Sequence, residues 1–146
     1  MHEKWISLAE ELSENCIDPA VKIGCVLVKD DEELSTGWNR VTKGVEEIEA
    51  RYVQRPAMYF WVEHAERIAV FSAARNGVSL AGATAYVNVT PCSVCSHCLR
   101  GLIEAGIVRI VGNTSKLESK GKTKTHKVVN QKMLDEAGVE TITVSL

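Results

Sequence analysis

The sequence predicts an α/β fold: a three-layer α/β/α sandwich on a five-stranded mixed sheet whose last two strands are parallel. Two observations carry this. Five short segments rich in Val, Ile, Thr or Tyr read as strands. Helical patterns of ten or more residues separate the later ones. Parallel neighbours need a crossover connection, usually a helix, so the alternation covers the sheet with helices. A chain of 146 residues suits one domain over 1–146, with room for a real core.

The elements follow in order. Residues 3–16 place Trp5, Leu8, Ala9, Leu12 and Cys16 at helical spacing. "VKIGCVLV" is a strand, Asp30-Asp31 a turn, and "ELSTGW" the returning strand of a hairpin. Residues 39–60 read as irregular, and a helix over about 62–76 ends at Asn76-Gly77, a C-terminal cap. "ATAYVNVT" (83–90) is a strand that Pro91 breaks, and "SVCSHCLRGLIEAG" is a helix ending at Gly106. "IVRIVG" is the next strand. A polar loop with lysines at 116, 120, 122, 124 and 127 follows, then the helix "KVVNQKMLDEAG" and the strand "VETITVSL".

Composition excludes several classes. The chain is 45% hydrophobic and 25% charged, with net charge −2. That is no footprint of a polyanion binder. No apolar run is long enough for a membrane span, and "MHEKWISLAEEL" lacks a signal-peptide core. A cytoplasmic protein is expected. Cysteines stand at 16, 25, 92, 95 and 98, an odd number with three inside seven residues. In a reducing compartment such a cluster favours metal over disulfides.

"TPCSVC" sets Cys92 and Cys95 three apart after a strand and at the expected start of a helix. Both sulfurs then share one side of the first turn, where the helix dipole favours thiolates. Two thiolates bind zinc, and a catalytic site needs a third protein ligand and an open position. His64, at the start of the preceding helix, supplies it if the two helices pack on one face of the sheet. Glu66, two residues on, is placed to accept a proton from an activated water. Other readings stand beside this. Cys92 and Cys95 could form a redox pair, or Cys98 or His97 could complete a closed structural zinc site. Cys98 is expected instead in the core as a small apolar group, like Cys16 and Cys25. His97 is expected at the surface or an interface, and His2 and His126 in solvent.

His64-Ala65-Glu66, twenty-four residues, then Pro91-Cys92-x-x-Cys95 resembles the signature of the zinc-dependent cytidine/deoxycytidylate deaminase superfamily. The resemblance spans about residue 5 to 146. "VKIGCVLV", "STGWN", "TAYVNVTPCSVC" and "KMLDEAGVE" look like successive family segments. Deoxycytidylate (dCMP) deaminase is the branch most like it. The resemblance implies a cytidine-deaminase-like fold with one Zn²⁺ per chain on His64, Cys92 and Cys95. It implies conversion of a cytosine nucleotide, dCMP above all, to the uracil form plus ammonia. Hydroxide on zinc would attack C4, with Glu66 as proton shuttle. It further implies that Asn39 bonds the sugar, the Ala65 N–H the pyrimidine O2, and the Thr90 carbonyl the exocyclic amine.

The chain departs from the family at "GWNRVTKG", where relatives continue "GYNG", and at Ile68, where relatives carry Asn after "HAE-x". The first departure bears on nucleotide regulation and the second on substrate identity. A phosphate needs cations, and Arg40, Lys43, Arg51, Arg55 and Arg67 flank the site in sequence, with Arg40 and Arg55 the candidates for substrate. For Arg67 and the lysine loop, ordinary surface roles are the simpler reading. The alternatives are a deaminase of guanine, a pterin-like ring or tRNA adenosine, and an inactive zinc-stabilised binding module. A pI near 6.1 argues against nucleic acid. A small-molecule nucleotide is the expected partner, with a homo-oligomer and no membrane.

Overall fold

A computed structural model describes residues 1–54, 56, 58–114 and 124–146. In chain order its elements are α1 (His2–Ser13), β1 (Gly24–Lys29), β2 (Glu32–Trp38), β3 (Arg40–Val41), α2 (Ala50–Val53), α3 (Met58–Trp61) and β4 (Val62–Glu63). Then come α4 (Ala65–Arg75), β5 (Thr84–Val87), a 3₁₀ turn (Pro91–Ser93), α5 (Ser96–Glu104), β6 (Arg109–Asn113), α6 (Lys124–Ala137) and β7 (Glu140–Val144).

The main sheet has the order β2-β1-β5-β6-β7. β1 is antiparallel to both β2 and β5. β5, β6 and β7 run parallel. The five-stranded mixed sheet with its last two strands parallel is the one the sequence predicts. The Asp30-Asp31 turn also holds: both residues have positive φ, 51° and 59°, as a two-residue hairpin turn requires at both central positions.

Alternation along the strands splits the core. On one face Val26, Val28, Tyr86 and Val111 meet Trp5, Ile6 and Ala9 of α1. On the other, Cys25, Leu27, Ala85, Val87 and Ile110 meet residues of α4, α5 and α6. Helices on both faces make the three layers. Cys16 and Cys25 are buried, as expected.

α4 lies close to the sheet because its inner stripe is small: Ala65, Ala69 and Ala73, all buried. β2 matches it with Gly37, where a Cβ would stand 2.3 Å from the Ala65 carbonyl oxygen. Ser35 Oγ donates to the Ala69 carbonyl at 2.6 Å.

The segment expected to be irregular holds short elements instead. β3 pairs with β4, Arg40 with Glu63 and Val41 with Val62. This ribbon takes 62–63 out of the helix, so α4 begins at Ala65 rather than near 62. α5 likewise begins at Ser96, because Val94 (ψ 139°) and Cys95 (ψ 135°) are extended after the 3₁₀ turn. In the lysine loop, Lys116, Lys120 and Lys122 lie outside the described residues, whereas Lys124 and Lys127 fall in the first turn of α6. Among the described residues no helix is long and apolar enough to cross a membrane.

Candidate metal centre

α4 and α5 pack on the same face of the sheet, so their starts converge. His64 is the N-cap of α4 and Cys95 the N-cap of α5, each in extended backbone. Neither uses its side chain to cap its own helix, which leaves both side chains for other partners. Cys98 stands three residues after Cys95, and an N-cap and the third helical residue face one another across the first turn. One ligand atom from each of His64, Cys95 and Cys98 lies within 4.8 Å of the others.

This trio differs from the His64, Cys92 and Cys95 set expected from the Pro-Cys-x-x-Cys spacing. The reason is local backbone. Pro91–Ser93 form the 3₁₀ turn and residues 94–95 are extended, so Cys92 and Cys95 do not share a helical turn. Cys92 instead places its sulfur 4.0 Å from Thr90 Oγ1. Cys98, expected to be an apolar filler, is buried as foreseen. Its Sγ nevertheless lies 3.3 Å from His64 Nδ1. The signal for it was present in the sequence as a second, overlapping Cys95-x-x-Cys98.

The donors are electrostatically coupled. The Cys98 thiol, donating to Cys95, does most to hold the Cys95 thiol down at about 2, with His64 and His97 assisting. His97 itself is exposed, with Nδ1 3.4 Å from Cys95 Sγ. Cys98 is pushed up by the same bond and by burial. His64 is raised, chiefly by its bond to Cys95. One imidazole nitrogen and two sulfurs, one of them biased toward the thiolate by its neighbours, are the donor chemistry of a three-ligand zinc site that keeps a position open for water. The residues present therefore fit zinc.

Glu66, the second residue of α4, is 4% exposed, and burial raises its carboxyl. It lines a cavity with His64, Cys95, Ala65, Asn39, Asp18, Val21, Ile23, Met58, Val62, Val89, Ser93 and Val94. Of the other expected site residues, Asn39 and Ala65 reach this cavity. Asn39 is largely committed to the loop before β1. Its Oδ1 accepts from Ile23 N and Cys16 Sγ, both at 2.8 Å, and its Nδ2 donates to the Val21 carbonyl at 2.9 Å. Thr90 is not on the cavity wall, and its carbonyl accepts from Ser93 N at 2.9 Å.

Arg40 faces a separate groove with Lys43, Ile68, Phe71 and Arg75. Ile68, one of the two departures from the family pattern, is therefore in that groove and not on the cavity wall. Arg67 pairs with Glu63 at 3.0 Å and lies over Phe71. Arg51 stacks 3.8 Å over Trp61. Arg55 lies outside the described residues. His2, expected in solvent, bonds Tyr86 through Nδ1 at 2.9 Å.

A model of the cytidine and deoxycytidylate deaminase zinc-binding region matches residues 1–114. The chain belongs to this family. Among curated relatives, the riboflavin biosynthesis protein RibD of Haemophilus influenzae is 32% identical over 131 residues, 88% of this chain and 28% of that protein. A Caenorhabditis elegans protein named "Probable deoxycytidylate deaminase" is 29% identical over 102 residues, 67% of this chain and 51% of its own. The chain thus spans about a quarter to a half of these relatives' lengths. A dCMP deaminase from the cyanophage S-TIM5, solved with dCMP and dUMP, shares the fold: TM-score 0.74 at 23% identity, covering 99% of this chain and 95% of that one. The family is one of hydrolytic enzymes with a zinc-binding region, and this chain carries a donor set that fits that metal.

Proposed function

We propose that the deaminase hydrolyses the exocyclic amine of a cytosine nucleotide, dCMP above all, releasing the uracil form and ammonia. The observation that carries this is Glu66. A buried carboxyl, raised by its surroundings, lines the cavity beside the His64–Cys95–Cys98 trio. Those three residues would hold zinc, which would supply an activated water as the nucleophile. Everything else falls to the chain. Glu66 accepts the water proton and passes it to ring N3 as the oxygen bonds to C4. It then takes the proton of the new C4 hydroxyl and delivers it to the amine, so that the C4–N bond breaks, the carbonyl forms and ammonia leaves. Its raised carboxyl suits it to both transfers, since an efficient shuttle titrates nearer the working pH than a free carboxylate does.

The remaining wall orients the base. The Ala65 N–H, at the start of α4, has no partner within its own helix and can meet the pyrimidine O2. Asn39 keeps one Nδ2 hydrogen beyond its bond to Val21, enough for one sugar hydroxyl. Val62, Val89 and Val94 give apolar contact to the ring. Among the described residues no Lys or Arg lines the cavity, and Arg40 lies in the outer groove.

A second reading, a diaminopyrimidine nucleotide substrate, is supported by the likeness to a Thermotoga maritima protein named as a diaminohydroxyphosphoribosylaminopyrimidine deaminase/reductase, TM-score 0.66 at 25% identity, alongside the 32% identity to RibD. Ammonia release from dCMP, deoxycytidine, CMP, dCTP, guanine and a 2,5-diaminopyrimidine nucleotide decides between them. Turnover of dCMP well above all others supports the first, and turnover of the diaminopyrimidine alone overturns it.

A further inference from the structure

Asn130 on α6 is fully buried, and its amide is committed to the loop that carries Cys95. Its Nδ2 donates to the carbonyls of Cys92 at 3.0 Å and Val94 at 2.9 Å. Its Oδ1 accepts from Ser96 Oγ at 2.8 Å. Both amide hydrogens and the oxygen are thereby used. The contacts bracket Cys95 on both sides. The two carbonyls belong to the 3₁₀ turn and to an extended residue, backbone with neither helix nor strand to pair it, and buried carbonyls need partners. Simple packing of α6 is already served by Leu134, also fully buried. Residue 130 moreover lies beyond 1–114, the part of the chain that the family model matches.

We propose that Asn130 is a positioning residue: it fixes the Cys92–Ser96 backbone in the conformation that presents Cys95 to zinc. This rests on the zinc site proposed above. It makes α6 a structural partner of the metal centre, acting through the loop and not through any contact with substrate.

The test uses zinc-loaded protein with four chains: wild type, Asn130→Asp, Ser96→Ala and Leu134→Ala. Three quantities are read: zinc per chain, the rate of zinc transfer to a chromogenic chelator, and the visible thiolate-to-metal absorption after Co²⁺ substitution. Asn130→Asp is expected to release zinc about 10- to 100-fold faster, the scale of lost support to a metal ligand, and to alter the Co²⁺ band. Ser96→Ala should show the same change, smaller. Leu134→Ala, which loosens α6 without touching the loop, should lower the melting temperature and leave release and spectrum near wild type. Release from Asn130→Asp no faster than from Leu134→Ala overturns the proposal while leaving the zinc site standing. A wild-type chain that binds no zinc overturns both. Should Asn130→Asp not fold, Ser96→Ala decides: wild-type release and spectrum overturn the proposal.

Discussion

His64 Nδ1 lies 3.3 Å from Cys98 Sγ. That contact joins the N-cap of α4 to the first turn of α5, and Cys95, the N-cap of α5, completes the trio. Cys92 stays outside, beside Thr90. Cys98→Ser should therefore lose bound zinc and turnover together, whereas Cys92→Ser should keep about one zinc per chain. Metal analysis of the two purified variants checks this. The reverse pattern would restore Cys92 as a ligand.

Among the described residues Asp18 is the other carboxylate on the cavity wall, and Glu63, next to His64, is held by the His64 backbone N–H and the Arg67 guanidinium, both at 3.0 Å. Asp18 is occupied with the N–H groups of Ala20 and Val21, at 2.8 and 3.0 Å. Glu66→Gln should retain zinc and lose turnover by about 10²–10⁴-fold, the usual worth of general acid–base catalysis. Activity within a few-fold of wild type would remove Glu66 from the chemistry.

Gly37 is where β2 and α4 touch. A side chain there would meet the Ala65 carbonyl oxygen at 2.3 Å and the Ala69 nitrogen at 2.9 Å, backbone atoms that cannot rotate away. Gly37→Ala should cost about 1–3 kcal/mol, as overpacking does, and displace His64 and Glu66 with the start of α4. Denaturant unfolding and turnover, measured on the same preparation, should both fall. An unchanged midpoint would show that the helix can shift freely.

Tyr52 supplies a pH dependence. Burial, then a hydrogen bond to Glu47, pushes its phenol up to about 12, against about 10 in an unfolded chain. A raised folded pKa means the fold favours the neutral phenol. The stabilisation is full below about pH 10 and is lost as pH rises from there toward 12. Tyr86 is also raised by burial, so a tyrosinate absorbance titration should show a late rise of which Tyr52→Phe removes the part near pH 12, and the variant's stability should fall less steeply over that window. A Tyr52→Phe titration identical to wild type would contradict the assignment.

Much of this was legible in the chain because it is local. The hairpin at Asp30-Asp31, the β-branched strands and the His-x-Glu placement at a helix start all write themselves into short windows. The choice between two overlapping C-x-x-C pairs does not. Pro91 favours the first, whereas the extended backbone at Val94 and Cys95 brings the second pair beside His64, and that backbone is bonded by Asn130, more than thirty residues later. The β3–β4 ribbon was hidden for a similar reason. Two residues on each side carry no periodicity, and only their mutual pairing makes them strands.

That ribbon has a further consequence. Asn39 directly precedes β3, and His64 directly follows β4, so one short clasp ties the Asn39 part of the cavity wall to the His64 part. A push on one is felt at the other. A substitution at Met58, on the cavity wall and between the two strands of the clasp, can therefore reshape the wall while Asn39 and His64 stay where they are. The clasp itself is the portion that change must leave alone.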